Sequence, residues 1–204
     1  MKTLLKRKRD KEATRESILE SAEELFAEKG FADTSLSEIA KRAKVTKSLI
    51  HHHFETKEKL WEQVKQRLIV PYLSNQMKLL YKAKIDVETF RESIRTYFYF
   101  LRDNPNFVRI MTWMSLEGDC ALADQGLMSF GASRLKEGQD RGELRDDIMP
   151  EMVLSAFLAS VGHWYQERGA FLSWAEMDGD KADELYLDTV LKLFTSGLLP
   201  ENKR

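Results

Sequence analysis

Cysteine occurs once, at Cys120, so no disulfide can form within this chain of 204 residues, and its chemistry suits a reducing compartment. Only four prolines are present, too few for a fibrous or disordered chain. Long apolar runs are missing as well. No stretch approaches the roughly 18 apolar residues that cross a bilayer, and the basic opening MKTLLKRKRD lacks the apolar run of about 7 to 15 residues of a secretory signal. A cytoplasmic protein without membrane contact is expected. Also absent are a glycine-rich phosphate loop, a Cys/His cluster at metal spacing, and a nucleophile, base and oxyanion-donor set. No cofactor, metal or catalytic residue is expected.

Hydrophobic residues make up 43% and charged residues 32% of the chain, a balance typical of globular helical proteins with a real core. The net charge of −1 hides an asymmetry. Residues 1–67 hold 16 Lys or Arg against 12 Asp or Glu, leaving 16 against 21 in the remainder. A positive amino-terminal section containing KRKR at Lys6–Arg9 suits a polyanion, or else is a solvated face with a floppy tail.

Helical periodicity dominates throughout. Ile18, Leu19, Ala22, Leu25 and Phe26 form one stripe, ended by Gly30 and Phe31, the signature of a left-handed C-cap with an apolar clasp. Ser35 to Glu38 reads as a capping box. Thr46 and Thr56 are placed to cap the next two helices through their hydroxyls. Longer helices are expected near 57–82, 86–103, 105–117, 121–141, 150–168 and 180–197, with Pro71 inside the first and a packed loop over 169–179. The fold class is all-α. Two short helices joined by three or four residues match a helix-turn-helix, whose second helix enters the DNA major groove. On that geometry Ile39, Ala43, Val45, Ile50 and Phe54 turn inward, leaving Lys47, Ser48, Leu49 and His52 outside.

Residues 14–64, including ILESAEELFAEKGFADTSLSEIAKRAKVTKSLIHHHFETKEKLWEQV, resemble the amino-terminal DNA-binding domain of the TetR family of bacterial transcriptional regulators. The resemblance implies a basic arm over 1–11, a three-helix helix-turn-helix domain over 12–58, and a larger helical effector-binding and dimerisation domain over 59–204. It implies a ligand-responsive homodimer, a repressor, on double-stranded DNA with a palindromic operator. By position it assigns Thr34, Ser35, Thr46, His51, His52, His53 and Lys57 to the DNA backbone, with Lys47, Ser48 and Leu49 nearest base edges. Rival readings are a DNA-binding architectural or cell-division factor without effector control, and a helical enzyme.

Two departures from the family pattern stand out. Tyrosines are usual where His51 and His52 stand. Consecutive helical residues point about 100° apart, so three adjacent histidines cannot converge on one ion. His51 and His52 then read as phosphate donors, and His53 as either a donor or a core residue. An imidazole that takes up a proton gains charge toward phosphate, so such donors make DNA affinity rise as pH falls. Lys44 replaces the glycine common in the turn; if the turn is left-handed, lysine costs about 1 kcal/mol and offers another phosphate donor.

In the acidic remainder, Phe98, Leu101, Met111, Trp113, Met114, Phe130, Phe157 and Trp164 are candidates for an effector pocket, although most such residues are ordinary core. Methionine beside aromatics adapts to irregular apolar ligands, so a small hydrophobic or amphipathic effector is expected. Leu187, Val190, Leu191 and Phe194 supply an apolar face for a dimer interface.

Overall fold

A computed structural model of the chain describes residues 2–81, 84–119 and 125–200. All regular structure among them is helical: α1 (Lys2–Lys29), α2 (Leu36–Arg42), α3 (Lys47–Phe54), α4 (Lys57–Leu80), α5 (Val87–Asp103), α6 (Pro105–Glu117), α7 (Gln125–Asp140), α8 (Pro150–Ala175) and α9 (Gly179–Leu198). No described helix is long and apolar enough to cross a membrane. The chain divides into two compact units. One comprises Met1–Ile69 and Arg109–Leu122, the other Val70–Val108 and Ala123–Arg204. The division within α4 falls two residues before Pro71, which the helix accommodates with its ring exposed.

In the first unit, Ile18, Leu19, Ala22, Leu25 and Phe26 of α1 are buried as one stripe. The helix ends at Gly30, whose φ of +79° suits a residue without Cβ. A Cβ there would also come within 2.9 Å of the Trp113 ring. Phe31 then folds back so that Trp61 meets Phe26 edge-on at 4.9 Å and Phe31 at 5.7 Å. The first turn of α4 therefore belongs to this unit, which reaches beyond residue 58. Lys65, 3% exposed, is satisfied by Asp119 at 3.0 Å and Glu62 at 2.6 Å, while the Trp61 indole donates to the same Asp119 oxygen. Burial alone would lower the Lys65 pKa, but the two carboxylates outweigh it and the net shift is upward.

The joint between α2 and α3 is a Schellman turn. Val45 N–H donates to Ala40 O at 3.0 Å and Lys44 N–H to Lys41 O at 3.3 Å, satisfying carbonyls that a helix end leaves open. Lys44 takes φ = +56°, the left-handed conformation anticipated for this position. Ser35 and Glu38 close the capping box in both directions, at 3.2 and 2.9 Å. Hydrogen bonds from Lys29 and Ser35 hold the Glu38 carboxyl down to about 2. α1 runs unbroken through Lys6–Arg9, so the backbone of the basic arm is helical; the side chains of residues 1–9 lie outside the described ones.

In the second unit, Phe90, Ile94, Tyr97, Phe98 and Leu101 of α5 are buried, packed against α8 and α9. α8 continues to Ala175, where a loop over 169–179 was expected. Phe171 packs edge-on against Trp164 at 5.1 Å, and Trp164 stacks on Tyr186 of α9 at 4.2 Å. Buried Asp183 accepts from the Trp164 indole at 2.9 Å and from Arg168 at 2.7 and 3.1 Å, binding α8 to α9. Asp178 rather than Asp180 caps α9, accepting two amides at 3.1 Å.

The strained turn generates a stability prediction. Lys44→Gly removes a Cβ from a left-handed residue and should stabilise the protein by about 1 kcal/mol, raising Tm by about 2–4 °C for a chain of this size. Thermal unfolding by circular dichroism measures it, and a lowered Tm would contradict the assignment of strain.

Candidate nucleic-acid interface and effector cavity

α3 presents two unlike faces because its apolar residues recur at helical spacing. Ile50 and Phe54 are buried, and this fixes which side looks out. Lys47, Ser48, His51 and His52 are exposed, and Leu49 is 39% exposed, a large apolar side chain left in water at the start of a helix. The Thr46 hydroxyl caps the helix by accepting from the Leu49 amide at 3.4 Å and lies 2.9 Å from the Ser48 hydroxyl. Among the described residues, neither Lys44 nor Lys47 forms an ion pair, whereas nearby Arg42 is bound at 2.7 Å by Glu28. Lysines, hydroxyls and the amides of a helix start are the groups that hold phosphate, and a lysine on such a helix can donate to guanine O6 or N7.

Thr34 is a correction. The resemblance places it on the DNA backbone, but it is 1% exposed, and its hydroxyl donates to Gly30 O at 2.7 Å and lies 3.3 Å from Leu25 O. Its polar group is spent on the carbonyls at the end of α1. Lys57 is partly committed too, since its ammonium donates to Ala32 O at 3.2 Å and lies 4.2 Å from the centre of the Phe31 ring. Ser35 remains exposed at the start of α2.

The histidines divide as neighbours on a helix must. His51 Nδ1 is 2.8 Å from Glu55 O; a carbonyl only accepts, so Nδ1 carries a proton and Nε2 is left for other contacts. His52 meets His53 edge-on at 5.4 Å. His53 is half-buried, and burial, then the charges of His52, Lys11 and Arg15, lower its pKa against the opposing pull of Glu12. Its ring stands 6.0 Å from that of buried Phe54. No cluster of three or more metal-binding side chains occurs among the described residues.

In the second unit a narrow cavity of about 40 Å³, open at its mouth, is lined by residues of α4, α5, α7 and α8 together with Ile85. Tyr72, Gln76 and Leu80 form one wall, and Phe90, Met128 and Phe157 belong to the others. Gln76 is 3% exposed; its Nε2 bonds the Ser93 hydroxyl, while Oε1 is buried without a partner. Such an oxygen costs about 1–3 kcal/mol. Burial raises the pKa of Tyr72 and pushes that of Tyr97 up to about 12, so both phenols stay neutral.

Of the eight residues expected around an effector, Phe157 alone lines this cavity. Phe98 packs with Tyr165 at 5.1 Å, Phe130 with Tyr81 at 5.1 Å, and Leu101 is core. Trp164 is taken up by Tyr186, and Met111, Trp113 and Met114 belong to the first unit. The missed signal was a polar residue inside an apolar stripe: Gln76 stands one turn from both Tyr72 and Leu80. Of the expected dimer residues, Leu187, Val190 and Leu191 are covered by their own chain and Phe194 lies 6.4 Å from Phe90. Exposed on α9 are Leu185 (49%) and Leu193 (67%), and on α8 Met152 (62%).

His53 yields a pH prediction. A base whose pKa is lowered by folding binds fewer protons folded than unfolded, so stability falls as pH drops through the ordinary histidine range near 6.5. His53→Gln should lessen the loss of stability between pH 7 and pH 5, read from urea unfolding at both. An unchanged difference would show that His53 is not a depressed base.

Residues 18–64 match the model described as bacterial regulatory proteins, tetR family, and residues 93–187 the tetracyclin repressor-like C-terminal domain. The HTH-type transcriptional repressor NicS of Pseudomonas putida is 26% identical over 170 residues, 78% of this chain and 79% of NicS. The HTH-type transcriptional regulator RutR of Escherichia coli K12 is 30% identical over 169 residues, 80% of this chain and 79% of RutR. The crystal structure of the transcriptional regulator FadR from Bacillus subtilis, in complex with stearoyl-CoA, superposes with a TM-score of 0.69 at 20% identity, covering 89% of this chain and 97% of that one. With a relative of that identity matched over most of both chains, this protein belongs to the TetR family of DNA-binding transcriptional regulators, which are not enzymes.

Proposed function

We propose that the protein is a cytoplasmic repressor that binds a palindromic operator as a homodimer and leaves it when a small, at least partly apolar effector enters the α4–α5–α7–α8 cavity. One observation carries the reading: Lys47, Ser48 and Leu49 stand exposed at the start of a helix whose other face is core. In that arrangement Lys47 and Ser48 meet base edges, Leu49 touches a thymine methyl, and Ser35, Lys44, Thr46, His51, His52 and Lys57 hold phosphates. His53 packs behind them.

Two-fold operators call for two reading heads related by the same symmetry. Met152 of α8 with Leu185 and Leu193 of α9 offers the apolar surface a second copy would cover, in place of the inward-facing Leu187, Val190 and Leu191. An amphipathic ligand held by FadR on a similar fold supports effector control over a purely architectural role. The effector acts only through a difference in its affinity for the DNA-competent and DNA-incompetent forms. α4 and α6, whose residues contribute to both compact units, are covalent links on which such a difference bears.

Operator fragments selected from genomic DNA by the purified protein give the test. Lys47→Ala should weaken binding to the selected sequence by about 1–3 kcal/mol and relax its specificity, whereas Lys44→Ala should weaken all sequences alike and lower the salt slope by about one. Affinity should also rise from pH 8 to pH 6, and the His51→Tyr, His52→Tyr double variant should flatten that rise. Equal affinity of native protein and Lys47→Ala for the operator would contradict the assignment of the reading face.

A further inference from the structure

Resting on the effector reading above, we infer that the cavity selects neutral ligands that carry one hydrogen-bond donor, an O–H or N–H, on an otherwise apolar body, and that Gln76 reads that donor through Oε1. The inference comes from following every polar side chain in the cavity wall to its partner. The Thr89 hydroxyl lies 3.3 Å from Lys84 O and 3.2 Å from the Asp86 carboxylate, and the Ser93 hydroxyl is taken by the Gln76 Nε2. Arg134 donates to Leu80 O at 3.0 Å and is paired with Glu137. Burial raises the pKa of the Tyr72 phenol by more than its hydrogen bond with the Gln76 side chain lowers it, and the phenol stays neutral. Gln76 Oε1 is the buried side-chain atom of this wall left without a partner.

An amide oxygen only accepts, so it is relieved by a donor and not by a second acceptor. Its neighbours in the wall are Leu80, Phe90, Leu135, Leu154 and Phe157, which reward an apolar body. An ionised carboxylate would set one acceptor against another, and the Arg134 charge is already met by Glu137. Met128 and Leu127, also in the lining, have the side-chain freedom to make room for an entering ligand, methionine especially. Recognition by filling one unmet hydrogen bond gives sharper discrimination than apolar fit, because the ligand lacking the group leaves a buried polar atom unsatisfied.

The full-length protein is titrated calorimetrically with 4-propylphenol, 4-propylanisole and 4-propylbenzoate, which share a body and differ in offering a donor, a neutral acceptor and an anion. The phenol should bind at least about tenfold tighter than either, roughly 1.4 kcal/mol. Gln76→Met should cut the phenol preference over the anisole to below about twofold, while Gln76→Glu, which keeps an acceptor oxygen, retains a preference for the phenol. Should Gln76→Met not fold, as judged by circular dichroism, the native comparison and Gln76→Glu decide. Equal affinities, a tighter anisole or benzoate, or a preference that survives in folded Gln76→Met each overturns the donor rule and leaves the effector reading standing. Failure of all three compounds to bind overturns the cavity as an effector site as well.

Discussion

The left-handed turn at Lys44 is the constraint on which the reading head depends. The Schellman bonds from Val45 and Lys44 stop α2 after Arg42, and the Thr46 hydroxyl starts α3 four residues later. With so short a joint, the crossing of the two helices is set by backbone geometry, and side chains only confirm it. Ile39 and Ala40 on one side and Ile50 and Phe54 on the other then become core. Lys47, Ser48 and Leu49 are outward as a result of that burial. A residue with φ = +56° is an unusual place for lysine, and the strain is tolerated where the exposed ammonium adds charge beside the reading face. A local cost in stability coincides with a candidate functional position.

The cavity follows a different logic. It lies where Thr89, Ser93 and Gly131 leave room between larger lining residues such as Tyr72, Phe90 and Phe157. Gln76 leaves one acceptor unmet inside it, an arrangement that gives up some stability in the ligand-free chain. Binding free energy at that oxygen is available only to ligands that carry a donor. Under the proposed function this is how the cavity bears on regulation, since a ligand shifts a conformational balance by what it gains in one form over the other.

Features decided within four or five residues were legible in the sequence. The Gly30–Phe31 helix end and the Lys44 turn rest on backbone bonds, and the Ser35–Glu38 box and the Thr46 cap on side chain-to-backbone bonds, all between near neighbours, and all were read from residue type and spacing. Long-range contacts were not legible. α8 continues past Gly169 because Phe171 rests on Trp164 of the same helix and Trp164 on Tyr186 of α9. Thr34 looked like a phosphate donor until the carbonyls of Leu25 and Gly30 claimed its hydroxyl. Weighting aromatics and methionines found core residues such as Phe98 and Trp164 in place of the cavity wall, because large side chains pack and close space.

Hydrogen exchange of the full-length protein, free and bound to its selected operator duplex, tests the central claim most directly, since it reports where DNA covers the chain. The account predicts slowed exchange concentrated in the α2–α3 turn and along α3, from Lys44 to Phe54, with the α7–α9 amides that lie away from any subunit contact little changed. Unaltered exchange across α3 in a saturated complex, with protection confined to the second compact unit, would contradict it.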